Sequence, residues 1–280
     1  MKLSRRALVQ TGARIALYVT AVPAALIPRT AAAQETSMQV SDYPLAFVGL
    51  VVNGVTVLAL IDTGSSTALR LSSRLASRLK LTLTARPNAF TQGLDGQRIP
   101  LQTGQAHRVE IGGLVQEGVS IEVAGERIES IAAQVGTAFD AVLGWGFMAH
   151  QPFVLDYPNR RLTFSAGATP SAPSSGLEVA VATTQGLPVV QGRIGDTPVR
   201  LLLDTGAPMC NIDQTLAGAP AGALLALDLT LANTRMPMQW RVKDLSAQRR
   251  VAQTEGTIGN NFLLRHVVAF QPQSGTMRFG

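Results

Sequence analysis

The 280-residue chain carries 24 lysines and arginines against 18 acidic residues, is 46 % hydrophobic and 5 % aromatic, and has one cysteine, Cys210. Five of the basic residues (Lys2, Arg5, Arg6, Arg14, Arg29) and none of the acidic ones fall in residues 1–33, which leaves the rest of the chain at only +1. The high isoelectric point is therefore no sign of a nucleic-acid partner, and no Lys/Arg run with interleaved aromatics supplies one; a lone cysteine excludes an intrachain disulfide framework.

Residues 1–33 read as a leader. Ser4-Arg5-Arg6-Ala7-Leu8-Val9 is a twin-arginine pattern, an apolar stretch runs from Ile15 to Ile27, and Ala31-Ala32-Ala33 is a small-residue cleavage site. The apolar stretch is shorter than the roughly 20 residues a bilayer span needs and is interrupted by Pro23. The expectation is a twin-arginine signal peptide, a mature chain starting near Gln34, a periplasmic or secreted destination, and no stable membrane span after cleavage.

From Tyr43 the pattern is short strands and turns. Leu45 to Val52 reads as a strand, Asn53-Gly54 as a two-residue hairpin turn, and Val55 to Ile61 as the returning strand that delivers Asp62. Leu71, Leu75 and Leu79 recur every four residues, with Arg70, Arg74 and Arg78 on another face, which predicts an amphipathic helix ending near Lys80 with a solvated arginine row. Thr91 to Gly96 is polar and turn-rich between extended segments and is read as a flap, with Gly93, Leu94, Asp95 and Gly96 as candidate substrate contacts. Val109 to Ile111, Gly112-Gly113 and Val119 to Val123 read as a further hairpin. An apolar-Gly element, Val142-Leu143-Gly144, and a closing hairpin, Phe153 to Leu155 and Leu162 to Phe164, complete the unit.

The unit then repeats. Thr169 to Gly176, with two prolines and several serines, is the expected linker. Beyond it Leu187 to Ile194, Gly195-Asp196 and Val199 to Leu203 deliver Asp204, in a register 142 residues on that holds without a gap from Tyr43/Gln185. The apolar-Gly element, Thr257-Ile258-Gly259, and its closing hairpin follow at an offset of 115, so the second unit is 27 residues shorter between its aspartate and that element. It should lack a comparable flap. The domain expectation is 1–33 leader, 34–168 first lobe, 169–176 linker, 177–280 second lobe.

Each aspartate ends an apolar run, where one unpaired buried carboxylate would cost several kcal/mol, about the scale of a whole buried interaction network. Two can rescue each other by meeting across a pseudo-twofold axis and sharing one proton. Leu60-Ile61-Asp62-Thr63-Gly64-Ser65 and Leu202-Leu203-Asp204-Thr205-Gly206-Ala207, each followed by its apolar-Gly element and closing hairpin, resemble the pepsin and retropepsin superfamily, closest to bacterial retropepsin-like aspartyl protease domains in tandem. The resemblance implies an all-β fold of two duplicated β-barrel lobes related by a pseudo-twofold axis, with short helices. It also implies an aspartic-type endopeptidase, active on a peptide or protein as an intrachain monomer without metal or cofactor, in which Asp62 and Asp204 are the catalytic pair. Thr63, Gly64, Ser65, Thr205, Gly206 and Ala207 would support the two loops, Ser65 by hydrogen-bonding its carboxylate, and Leu143-Gly144 and Ile258-Gly259 would brace them from behind.

Two rivals keep the same lobes. One is an inactive peptide-binding or structural protein, the other an enzyme whose lobes pair between chains. Among the remaining polar residues, His107, His150 and His266 lack metal-ligand spacing. Cys210, Trp145 and Trp240 read as packing residues, and Asp140 and Asp156 as locally hydrogen-bonded.

Overall fold

The computed structural model describes residues 34–92, 98–165 and 176–280. The leader, the four flap residues Gly93, Leu94, Asp95 and Gly96, and all of the expected linker but Gly176 lie outside the described residues. Strands account for 54 % of the described residues, which makes the fold all-β.

The first lobe runs β1 (Gln34–Val40), β2 (Ala46–Val52), β3 (Val55–Asp62), β4 (Leu69–Leu71), α1 (Ser73–Arg78), β5 (Thr84–Gln92), β6 (Arg98–Ile111), β7 (Leu114–Val123), α2 (Arg127–Val135), β8 (Ala141–Gly144), α3 (Trp145–Met148), β9 (Phe153–Asp156) and β10 (Arg161–Phe164). The second repeats it as β11 (Leu177–Thr184), β12 (Leu187–Ile194), β13 (Thr197–Leu203), β14 (Asn211–Asp213), α4 (Gln214–Ala217), β15 (Leu224–Leu231), β16 (Thr234–Lys243), α5 (Ser246–Ala252), β17 (Gly256–Ile258), α6 (Asn260–Leu263), β18 (Val267–Gln271) and β19 (Thr276–Phe279).

The pairing repeats as well. β3 runs parallel to β8 as β13 does to β17, β4 is wedged between β7 and β8 as β14 is between β16 and β17, and β2 meets β6 as β12 meets β15. Among the described residues only β5 has no counterpart. The shortening inferred from the two offsets therefore falls on the flap hairpin, while the helices and the long β15–β16 hairpin remain. Asn53 and Gly54, at φ 47° and 81°, supply the left-handed pair that a tight hairpin turn needs.

The lobes are stitched by a six-stranded antiparallel sheet, in the order β1, β10, β9, β18, β19, β11. Its central seam pairs Asp156 to Phe153 with Val267 to Phe270, one strand from each lobe. Above it Phe153, Trp145 and Phe270 pack ring to ring, with Trp145 and Phe270 at 4.6 Å between centroids. Trp145 and Trp240 are both buried, as expected of packing residues.

The arginine-rich helix is a correction. The chain stays extended through Leu71 because Leu69 and Leu71 alternate into the core around Arg70, with a period of two. Ser72 then caps α1, its Oγ accepting from the Leu75 amide at 3.0 Å, so the helix begins at Ser73 and Leu79 is its C-cap. The four-residue leucine spacing spans a strand end and a helix. Arg70 is thus no part of a solvated helical row; it projects from a strand.

Candidate active site

Asp62 is the last residue of β3 and Asp204 follows β13 directly. Each is fixed from one side by the strand that carries it and from the other by the parallel apolar-Gly strand: Asp62 sits in register with Gly144, and the Asp204 amide donates to the Ile258 carbonyl at 3.0 Å. Both glycines are dictated by closeness. A Cβ on Gly144 would lie 2.1 Å from the Thr67 carbonyl oxygen, and one on Gly259 2.5 Å from that of Met209. Leu143-Gly144 and Ile258-Gly259 do lie behind the loops, as expected.

The two loops interlock. The Thr63 hydroxyl donates to the Leu203 carbonyl at 2.7 Å and accepts from the Thr205 amide at 3.0 Å. In mirror fashion the Thr205 hydroxyl donates to the Ile61 carbonyl at 2.8 Å and accepts from the Thr63 amide at 3.0 Å. Four buried hydrogen bonds thus lock one motif onto the other, and both threonines are almost fully buried. They satisfy amides and carbonyls that would otherwise be orphaned at the centre of the molecule.

That clasp sets the carboxyl groups face to face. A Cβ built on Gly64 would lie 2.6 to 2.8 Å from the carboxyl atoms of Asp204, and one on Gly206 2.6 to 3.1 Å from those of Asp62. Each aspartate therefore rests on the other loop's glycine, where no side chain fits. The carboxyl groups are within side-chain hydrogen-bonding reach of each other, and each accepts from a backbone amide in its own loop, Gly206 N to Asp204 Oδ1 at 2.9 Å and Gly64 N to Asp62. Burial pushes both carboxyl groups above the ordinary carboxylate range, and the facing Asp62 charge adds to the rise of Asp204.

The surroundings are not symmetric. The positive charges of Arg70 and Arg127 act on Asp62 and offset part of its burial, whereas Lys243 acts on Asp204. Burial, and then the Asp204 charge, push up the ionisation of the buried Tyr157 hydroxyl. A cleft of about 480 Å³ opens beside the Asp62 loop, lined by Ser66 and Thr67 at one end and by Arg86, Thr103 and Glu122 of the flap sheet at the other.

Not every expected role survives. The Ser65 hydroxyl pairs with Thr67 Oγ1 at 2.8 Å instead of the Asp62 carboxylate. Its backbone matters more: the Ser65 amide donates to the Asp62 carbonyl at 3.1 Å and its carbonyl accepts from Trp145 at 2.8 Å. Ala207 reproduces both contacts, to Asp204 at 3.2 Å and from Asn260 at 2.8 Å, which explains why the side chain can differ between the copies. Asp140 is also bonded at long range, its Oδ1 accepting from Ser72 Oγ at 2.8 Å and from Arg74 Nη2 at 2.8 Å, because the β4–β8 pairing brings residues 68 and 66 apart together. Asp156 does bond locally, to the amide and side chain of Asn159.

Asn260 carries a role the sequence concealed. Fully buried, it donates from one Nδ2 to the Pro44 carbonyl at 2.7 Å and the Thr205 carbonyl at 2.8 Å, tying the first lobe's entry loop to the second lobe's aspartate loop. Its counterpart in the first unit is Trp145, so the duplication gave no hint. Arg70 and Arg127 were likewise hidden, one in an apparent helical row and the other in a segment with no motif.

Residues 48–147, from β2 to α3, match a family described as aspartyl protease; the matched stretch contains Asp62, its loop and Leu143-Gly144. No curated protein matches the chain.

Proposed function

The chain belongs to the retropepsin-like aspartyl protease superfamily, and from that premise we propose that it is an aspartic-type endopeptidase whose hydrolytic centre is the Asp62/Asp204 pair. The observation that carries this reading is the facing of the two carboxyl groups across the threonine clasp.

Asp62, whose charge Arg70 and Arg127 favour, is the ionised partner; Asp204, raised by burial and by the facing Asp62 charge, keeps the shared proton. A water held between them loses a proton to the Asp62 carboxylate as its oxygen attacks the scissile carbonyl carbon, while the Asp204 carboxyl donates its proton to the carbonyl oxygen. The resulting gem-diol returns a hydroxyl proton to Asp204, and the proton held by Asp62 passes to the amide nitrogen as the C–N bond breaks. The pair ends with one proton, as it began. The clasp keeps both acids at fixed separation through these steps, which is what positioning contributes to such a reaction.

The test is digestion of an unfolded protein by the purified chain and by its Asp62→Asn and Asp204→Asn forms. Loss of cleavage in each, with inhibition of the parent by a statine-type hydroxyl mimic and none by a chelator, supports the reading. A fully active double variant refutes it. The threonine clasp supports pairing within one chain over pairing between chains, and sedimentation at low concentration should find a monomer. The twin-arginine pattern supports export to the periplasm, and lysines at Arg5 and Arg6 should then retain the protein in the cytoplasm.

A further inference from the structure

A row of side chains crosses the floor of the first lobe next to Asp62. On β3 Leu60 and Asp62 point to one face of the sheet, since they are two residues apart. Leu60 is in register with Val142 on β8, Val142 with Arg70 on β4, and Arg70 with Glu122 on β7. Arg70 therefore stands on the same face as Asp62, one residue pair along. α2 packs over this row through Ile128, which contacts the Leu60 and Val142 cluster, and so brings its first residue, Arg127, to the same place.

Two guanidinium groups meet there with too little to bind. Arg70 gives Nη2 to Glu122 at 3.0 Å, and its side chain is only 18 % exposed. Its Nε is buried without a partner. Arg127 has neither an ion pair nor a side-chain hydrogen bond among the described residues, and its Nε and Nη1 are both buried and unpartnered. Burial and the nearby Arg70 charge weaken its hold on its own proton. Buried donors left empty are costly and call for an explanation, the more so on two like charges. No partner among the described residues completes them, whereas a planar carboxylate fits a guanidinium fork by two parallel hydrogen bonds.

We propose that Arg70 and Arg127 form a carboxylate-binding subsite beside Asp62, so that the protein selects peptides carrying an acidic group within a few residues of the bond to be cut. This rests on the endopeptidase reading and deepens it. The group is either an Asp or Glu side chain or the free carboxyl end of a short peptide; both present the same two oxygens. Arg127 is the recognising residue, and Arg70, already tied to Glu122, is its support.

The experiment uses matched peptides that differ at single positions, Glu against Gln, each made with a free and with an amidated C-terminus. Cleavage by the parent chain is compared with that by Arg127→Gln and Arg127→Glu. In parallel, binding of the same peptides to the Asp204→Asn chain, with and without Arg127→Gln, is measured by calorimetry. A charge-assisted bidentate contact predicts a Glu:Gln ratio in kcat/KM of about tenfold or more at one position. Arg127→Gln should collapse that ratio toward one, and Arg127→Glu should turn the preference toward Lys at that position. If cleavage falls on amidation while Glu and Gln are cut alike, the carboxylate is the peptide end; if a Glu preference survives amidation, it is a side chain. Equal treatment both of Glu and Gln and of free and amidated ends by the parent, or a preference unmoved in Arg127→Gln, overturns the subsite. Should no peptide be cut, the endopeptidase reading fails separately, and the binding ratio still decides the subsite.

Discussion

Replacing Asp204 by asparagine should make the folded chain more stable at neutral pH while abolishing hydrolysis. The Asp204 carboxyl is pushed up to about 8 from its ordinary 3.8 by burial and by the facing Asp62. Between those values the folded chain holds a proton that the unfolded chain has released. Stability contributed by such a group is complete below the unfolded value and falls as pH rises toward the folded one. The slope for a single proton is about 1.4 kcal/mol per pH unit, so from about pH 5 to about pH 7 the parent should lose about 2–3 kcal/mol from this source. Asparagine keeps the shape and accepts the same Gly206 amide, but has no proton to lose. Urea denaturation of parent and variant at several pH values reads out the pair, because every titrating group apart from Asp204 and the Asp62 that faces it is shared. The variant's curve should be flatter and should lie above the parent's near pH 7. Parallel curves would mean that Asp204 ionises in the folded chain as it does in solvent, and the idea of a proton held between two buried acids would go with them.

Three further outcomes follow from the same geometry. Gly206→Ala places a methyl group 2.6 Å from an Asp62 carboxyl oxygen, which must move; cleavage should fall by about a hundredfold or more with the circular dichroism unchanged, and wild-type activity in a well-folded variant would contradict the cross-packing. Asn260→Ala strips two buried carbonyls of their donor and should cost about 2–4 kcal/mol in a denaturant titration; a loss under about 0.5 kcal/mol would show that the tie carries no weight. Cys210 is fully buried and its thiol is pushed up to about 12, so it should react with an aromatic disulfide reagent only once the chain is unfolded; rapid reaction in buffer would place it elsewhere.

The duplication was legible because it is written in local chemistry. The Asn53-Gly54 turn and the second register at Gly195 announce hairpins, and alternating apolar residues announce strands, each depending only on near neighbours in sequence. Even the missing flap strand was countable, from two offsets that disagree. Where the local signal was ambiguous it misled: leucines at 71, 75 and 79 fit a helix, but the core contacts of Leu69 and Leu71 made the first of them a strand residue. Burial against distant strands overrides a local period, and no window of sequence contains that information.

From the residues alone came the two Asp-Thr-Gly loops, the strands that deliver them and the expectation that the acids meet. What those residues could not state is which groups surround each acid once it is placed. The threonine clasp joins positions 142 apart, Asn260 bridges to Pro44 over 216, and Arg70 reaches the Asp62 face through a register across three strands. Such contacts depend on the pairing of whole sheets. The charge imbalance that separates two near-identical carboxyl groups therefore belongs to the tertiary structure, because electrostatic energy follows distance and burial, and chain order fixes neither.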